Sequence, residues 1–156
     1  MITIIENYNL ADVKRELRRM LEEGSGLPEV RQLALQITAQ IPYDNDQISA
    51  IYDFVKTNIR YQPDPYSVEL FIHPRRMVEF YNQGIARGDC DDIALFTTSL
   101  LRSLGYEADV VLLNTAGEGL DHAVSQVSSN GVTLMLDPSA NVPLGWEESY
   151  YQKVVV

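Results

Sequence analysis

Apolar residues recur at three- and four-residue intervals through the first third of the chain, which is the spacing of amphipathic helices. The pattern predicts a helix over Ala11–Glu23, a second that Pro28 opens and whose apolar face continues to Ile41, and a third over Asp44–Asn58. These apolar stripes are core positions, and nothing in them indicates a cofactor site.

The pattern then changes. Two prolines make Arg60–Tyr66 extended, and a short helix is expected after Pro74. A strongly apolar helix begins near Cys90 and stops at Gly105, where a glycine commonly ends a helix. This helix is the most apolar of the chain and is expected to be the central one.

Alternating or β-branched segments fill the rest of the chain. They predict strands over Tyr106–Leu113, His122–Ser128 and Val132–Asp137, with a late or edge strand in Tyr150–Val156. Because helices come first and an antiparallel sheet follows, the predicted class is α+β.

The length of 156 residues fits one domain. We divide it into a helical part (1–58), a core part (about 59–140) and a tail strand (150–156). The first six residues lack the basic region and apolar core of a signal peptide, and no apolar stretch is long enough to span a membrane. We therefore expect a cytoplasmic protein, unless it is carried elsewhere within a larger assembly such as a virion.

The net charge of −10 excludes some partners. With 22 acidic and 12 basic residues, the surface should repel phosphate backbones and anionic lipid, so neither nucleic acid nor a membrane is an expected partner. The single cysteine excludes an internal disulfide and any site with several thiolates, and two histidines make a transition-metal centre unpromising. No cofactor is required by these residues.

A lone cysteine is usually a small buried apolar residue, but Cys90 stands at a predicted helix start. There the free backbone N–H groups and the helix dipole favour a thiolate and could hold an oxyanion. Asp89, Asp91 and Asp92 act in the opposite direction, because their charges should raise the pKa of the thiol. A protonated histidine, a bound cation or carboxylates that point away would offset them. For Asp89 and Asp92, a capping box at the helix start is the favoured role.

The dipeptide Asn130-Gly131 is a strong signal for a two-residue type I′ hairpin turn. With that turn, Ser129 pairs with Val132, and His122 and Asp137 become diagonal neighbours on one face. The opposite face carries an apolar, core-facing set: Ala123, Val127, Val132, Leu134 and Leu136. Taken singly, His122 would be an exposed strand-end residue and Asp137 a turn-starting acid. Together with Cys90 they form a candidate Cys-His-Asp triad, in which the carboxylate orients the imidazole.

The motifs Gly88–Ala94, Asp121–Val124 and Leu136–Pro138 resemble the transglutaminase-like superfamily of cysteine enzymes over residues 46–140, roughly. The resemblance implies a permuted papain-like core, with a cysteine opening a helix and a histidine and an aspartate on successive strands. Within the superfamily the sequence looks most like bacterial transglutaminase-like cysteine proteinases. Their acids flanking the cysteine can bind calcium, which implies Asp89 and Asp91 as Ca²⁺ ligands here.

The sequence departs from the family at one point. Relatives often carry a tryptophan upstream of the cysteine, whereas the only tryptophan here is Trp146. The second donor to an oxyanion is therefore open among Gln62, Tyr66 and Gln83.

Two classes of function follow. The preferred one is hydrolysis of an amide or peptide bond in a peptide or protein substrate by Cys90, His122 and Asp137, with transfer to an amine (transglutaminase activity) as a variant. The other is a non-catalytic binding or structural module that keeps the fold, for instance in a phage particle. The intact triad favours the enzyme.

Overall fold

A computed structural model describes residues 2–6, 9–65 and 68–156 of the chain. It contains helices and strands in the order of an α+β protein, which confirms the predicted class. The helices are α1 (Leu10–Ser25), α2 (Pro28–Ile37), α3 (Asp44–Asn58), α4 (Pro74–Asn82) and α5 (Cys90–Ser103). The strands are β1 (Ile2–Glu6), β2 (Arg60–Tyr61), β3 (Val68–Ile72), β4 (Arg87–Gly88), β5 (Glu107–Asn114), β6 (His122–Ser129), β7 (Val132–Leu136) and β8 (Gln152–Val155).

Helix α5 is the centre of the molecule. Its side chains are buried continuously from Asp92 to Leu101, with α1, α2 and α3 on one side and β6 on the other. Its apolar residues join two clusters of the core, one around α2 and α3 and one around α1 and β5. The core therefore fixes the position of the first turn of α5, where Cys90 lies.

The main sheet has the strand order β7-β6-β5-β8, and all of its pairs are antiparallel. The predicted tail strand is confirmed as β8, which pairs with β5 at an edge. The predicted hairpin register is also confirmed, with Ser129 opposite Val132 and Gln126 opposite Met135. Both turn residues, Asn130 and Gly131, have the positive φ (52° and 76°) that a type I′ turn requires.

Two details of the elements differ from the sequence prediction. Helix α2 ends at Ile37, because the Thr38 hydroxyl donates to the Ala34 carbonyl and Gln40 takes a left-handed φ of 63°. Val132 was assigned to the core-facing set, which is wrong. It is 56% exposed, because it follows the hairpin turn at the tip of the sheet.

Two small strand pairs were not predicted. Strand β1 pairs antiparallel with β3, and β2 pairs in parallel with β4. None of the helices in the described ranges combines the length and apolar character needed to cross a bilayer.

Candidate active site

Cys90 is the first residue of α5, and the acids on either side of it build the helix start. The side chain of Asp89 accepts hydrogen bonds from the backbone N–H groups of Asp91 (3.1 Å) and Asp92 (3.3 Å). In return, Asp92 Oδ2 accepts from the Asp89 N–H (3.1 Å). This is the capping box that the sequence predicted.

Asp92 has a second function that sequence reasoning missed. Its Oδ1 accepts the backbone N–H of Ile72 at 2.8 Å, so the carboxylate ties the start of α5 to strand β3. Gly88 makes this approach possible, because a Cβ there would lie 2.6 Å from Asp92 Cβ. The side chain of Asp92 is therefore fixed inside the protein, and it is only 1% exposed.

Capping leaves one N–H of this first turn available. The N–H groups of Asp91 and Asp92 bond to the Asp89 side chain, and that of Ile93 bonds to the Asp89 carbonyl. Within the described residues the N–H of Cys90 has no acceptor. The sequence predicted that N–H groups at the helix start could bind an oxyanion. Among those in the first turn, the N–H of Cys90 is the one available for it.

His122 and Asp137 are in direct contact across the β6–β7 hairpin. His122 Nε2 lies 2.7 Å from Asp137 Oδ2, and the carboxylate is 3% exposed. This hydrogen bond raises the pKa of His122, more than burial lowers it. The Ser139 hydroxyl donates to Asp137 Oδ1 at 2.6 Å, a contact that sequence reasoning missed. Both carboxylate oxygens of Asp137 therefore have a hydrogen-bond partner. The other ring nitrogen of His122 can accept a proton from a thiol.

Cys90 and His122 line the same cleft, which has a volume of about 610 Å³. Asp137 is not among the lining residues and lies behind His122. The second histidine of the chain, His73, is elsewhere. It caps α4 through Nδ1 and contacts Glu23 through Nε2, and burial lowers its pKa.

Burial is the main influence on the Cys90 thiol. It raises the pKa of Cys90 well above the usual range, and the charges of Asp91 and Asp89 raise that pKa further, as the sequence predicted. The backbone N–H of Ala123 acts in the opposite direction. The thiol is therefore protonated at neutral pH in this arrangement, and it needs a base before it can act as a nucleophile.

The neighbouring acids do not all remain charged. Burial raises the pKa of Asp89 to about 11, with the charges of Asp92 and Asp91 as further causes. Burial and the Glu69 carboxyl also raise the pKa of Asp91 well above its usual range. Burial therefore disfavours the charged form of both acids beside the thiol.

Three carboxyl groups converge on one wall of the cleft. Oxygens of Asp64, Glu69 and Asp89 lie within 4.8 Å of one another. Glu69 is 9% exposed, and its Oε1 is buried with no hydrogen-bond partner in the described part of the protein. Of the two ligands that the sequence suggested, Asp89 belongs to this group and Asp91 does not. Sequence reasoning missed Asp64 and Glu69. Asp64 precedes strand β3 and Glu69 lies within it, and the sequence did not predict this strand.

Of the three suggested donors for an oxyanion, the two that the structure describes do not line the thiol cleft. Gln62 lines the neighbouring cleft, Gln83 is exposed at the end of α4, and Tyr66 lies outside the described residues. Tyr61, which sequence reasoning missed, lines the Cys90 cleft instead. Burial raises the pKa of Tyr61, and the neighbouring charge of a Cys90 thiolate raises it further, so the phenol keeps its proton at neutral pH.

A family model matches most of the chain, and solved structures share its fold. The family described as the transglutaminase-like superfamily matches residues 31–138. Among curated proteins, sequence comparison found no match. A candidate protease from Parabacteroides distasonis is similar in structure over 84% of this chain and 26% of its own, with a TM-score of 0.62 and 14% identity. A candidate cysteine protease from Cytophaga hutchinsonii is similar over 99% of this chain and 62% of its own, with a TM-score of 0.60 and 16% identity. The chain thus spans about a quarter of the first of these proteins and less than two thirds of the second. The similarity is one of fold.

Proposed function

The chain belongs to the transglutaminase-like superfamily, and on that premise we propose that it hydrolyses amide or peptide bonds with Cys90 as nucleophile, His122 as general base and acid, and Asp137 as the residue that orients His122. The observation that carries the proposal is the 2.7 Å hydrogen bond between His122 and Asp137, with His122 and Cys90 in one cleft. The substrate would be a peptide or a protein segment, because the cleft is open and large enough for several residues.

The first half of the reaction transfers the acyl group to sulfur. His122 accepts the thiol proton, and the Cys90 sulfur forms a bond to the carbonyl carbon of the substrate. The imidazolium is stabilised by the buried Asp137 carboxylate. When the carbon–nitrogen bond breaks, His122 gives the proton to the leaving amine, and a thioester remains on Cys90.

The second half regenerates the thiol. His122 accepts a proton from water, the water oxygen attacks the thioester carbon, and the carbon–sulfur bond breaks. The proton returns to sulfur, and the carboxylic acid leaves. An amine in place of water would give transamidation, so the choice of second substrate decides between protease and transglutaminase activity.

The oxyanion of both tetrahedral intermediates needs two donors. The backbone N–H of Cys90 is the first, because the capping box leaves it without an acceptor in the described residues. We assign the phenol of Tyr61 as the second, since it lines the cleft and remains protonated at neutral pH.

The three carboxyl groups on the wall of the thiol cleft are suited to a calcium ion. Ligand oxygens about 2.4 Å from a Ca²⁺ ion lie at most about 4.8 Å apart, and carboxylates are suitable ligands. Asp64, Glu69 and Asp89 meet this spacing, and the unpartnered Oε1 of Glu69 would gain a partner. The ion would supply positive charge beside the thiol and thereby lower the pKa of Cys90.

One observation favours the non-catalytic alternative. Burial raises the pKa of Cys90 well above the usual range, as expected for an inert structural thiol. Incubation with p-nitrophenyl acetate separates the two functions. The enzyme should release nitrophenolate in a burst and carry one acetyl group on Cys90, whereas Cys90→Ala and His122→Ala should not. A wild-type protein that stays unacetylated while folded would support the module. Addition of a primary amine then shows whether the thioester goes to water or to the amine.

A further inference from the structure

A second cleft, of about 750 Å³, lies beside the thiol cleft. Tyr61 lines both, so the two clefts meet at this side chain. The second cleft also reaches the triad from behind, because Pro138 and Ser139 line it and the Ser139 hydroxyl holds Asp137. A peptide bound at Cys90 can therefore continue into it.

The charge of this cleft is opposite to that of the protein. Lys56, Arg60 and Arg87 line it, and no carboxylate does so among the described residues. The chain as a whole has a net charge of −10, with only 12 basic residues. A concentration of three cations without an acid is therefore a local feature that the composition does not explain.

The backbone holds two of these cations side by side. Arg60 in β2 is the direct partner of Arg87 in the parallel ladder with β4, about 4.8 Å away across the strands. Directly opposed like charges destabilise a strand pair. Five other arginines are paired with acids, as Arg102 is with Asp109 at 2.8 Å, whereas neither Arg60 nor Arg87 has an ion-pair partner among the described residues.

The third cation is held in place from the adjacent helix. Lys56 Nζ donates to the Val142 carbonyl at 3.1 Å and lies 5.6 Å from the centroid of the Tyr52 ring. These contacts fix the ammonium group without neutralising its charge. The cleft thus presents one fixed cation from α3 beside two exposed arginines whose backbones are adjacent in β2 and β4.

We propose that this basic cleft is a specificity subsite that binds carboxylate side chains of the peptide substrate, next to the bond that Cys90 attacks. The proposal rests on the proposed function and names the substrate class, a peptide segment with acidic residues. An inorganic anion is the other source of the same chemistry. The peptide is favoured because the cleft is far larger than one phosphate ion and is joined to the thiol cleft at Tyr61.

Binding without turnover tests the subsite independently of catalysis. The protein carries Cys90→Ala, and calorimetry at low salt measures the Kd of a blocked glycine-rich peptide with two glutamates and of the same peptide with two glutamines. We expect the glutamate peptide to bind about tenfold more tightly or better, since each charge-assisted contact adds substantially to affinity. The preference should disappear with Arg60→Gln/Arg87→Gln.

A charge-matched control excludes a general effect of net charge. Arg18 and Arg31 are exposed on α1 and α2, away from this cleft, so Arg18→Gln/Arg31→Gln should keep the preference. The single variant Arg87→Gln should show an intermediate preference if the double variant unfolds.

Three results would each overturn the proposal: equal affinity for the two peptides, an equal loss of preference in both double variants, or tighter binding of inorganic phosphate than of the glutamate peptide. Failure of the proposed function would appear instead as absent acetylation of wild-type Cys90.

Discussion

His122 Nε2 and Asp137 Oδ2 lie 2.7 Å apart, at a position where the hairpin register alone brings the two residues to one face. The distance belongs to a strong, partly charge-assisted hydrogen bond, and Asp137 is buried. The pair therefore fixes both the ring orientation and the nitrogen that faces the cleft.

Replacing Asp137 by asparagine should leave the fold intact and lower the acylation rate on the order of 10⁴-fold, as in serine-protease triads whose orienting acid becomes an amide. Asparagine can still accept from Ser139 but cannot stabilise an imidazolium. Rates of nitrophenyl-ester acylation and the His122 pKa from NMR titration provide the measurement. Wild-type rates together with an unchanged pKa of His122 would refute the orienting role.

The pair should also make stability depend on pH. Because Asp137 raises the pKa of His122, protonated His122 stabilises the folded state. This contribution is fully present below the unfolded pKa of about 6.5 and is lost as the pH rises through the raised folded value. In urea unfolding, the difference in free energy between wild type and His122→Gln should shrink over that range. In the Asp137→Asn background the pH dependence should be much weaker, and a dependence of the opposite sign would contradict the assignment.

Calcium should stabilise the protein through Asp64, Glu69 and Asp89. Stabilisation by a ligand at 100 times its Kd is about 2.7 kcal/mol, so the Tm should rise with Ca²⁺ and fall with chelator. Asp64→Asn should abolish the response, and Asp91→Asn should keep it. Because burial raises the pKa of Asp89 to about 11, the ion must displace a proton, and its affinity should increase with pH. A flat Tm in wild type would leave helix capping as the only function of Asp89.

Gly88→Ala should destabilise the protein by about 1–3 kcal/mol, as overpacking of a buried site does. The added Cβ would lie 2.6 Å from Asp92 Cβ and would push that carboxylate away from the N–H groups of Asp89 and Ile72. Gly26→Ala is the control, because the nearest atom to its Cβ is 3.8 Å away and its φ is negative. Equal chemical denaturation midpoints for the two variants would contradict this account of Gly88.

The thiol, the capping box and the His–Asp pair could be predicted because local signals set them. A two-residue turn fixes the register of the whole β6–β7 hairpin, so placing Asn130-Gly131 was enough to place His122 beside Asp137. The apolar run after Cys90 placed the helix start in the same way.

The remaining parts of the site depend on tertiary contacts. Strand β3 has no clear alternation, so Glu69 could not be assigned to a wall of the cleft. The pairing of Arg60 with Arg87 joins two-residue strands from distant segments, which are too short to show a period. Tyr61 lies in the extended segment that was predicted, but only the packed structure shows which cleft it faces.

The central claim is that His122 activates Cys90, and the pH dependence of alkylation tests it most directly. Cys90 is the only cysteine, so any iodoacetamide adduct in the intact mass of the folded protein reports on it. We predict that the wild-type rate rises as His122 loses its proton, and that His122→Ala reacts only at much higher pH. A native thiol that stays inert at neutral pH, or that reacts equally with and without His122, would contradict the account.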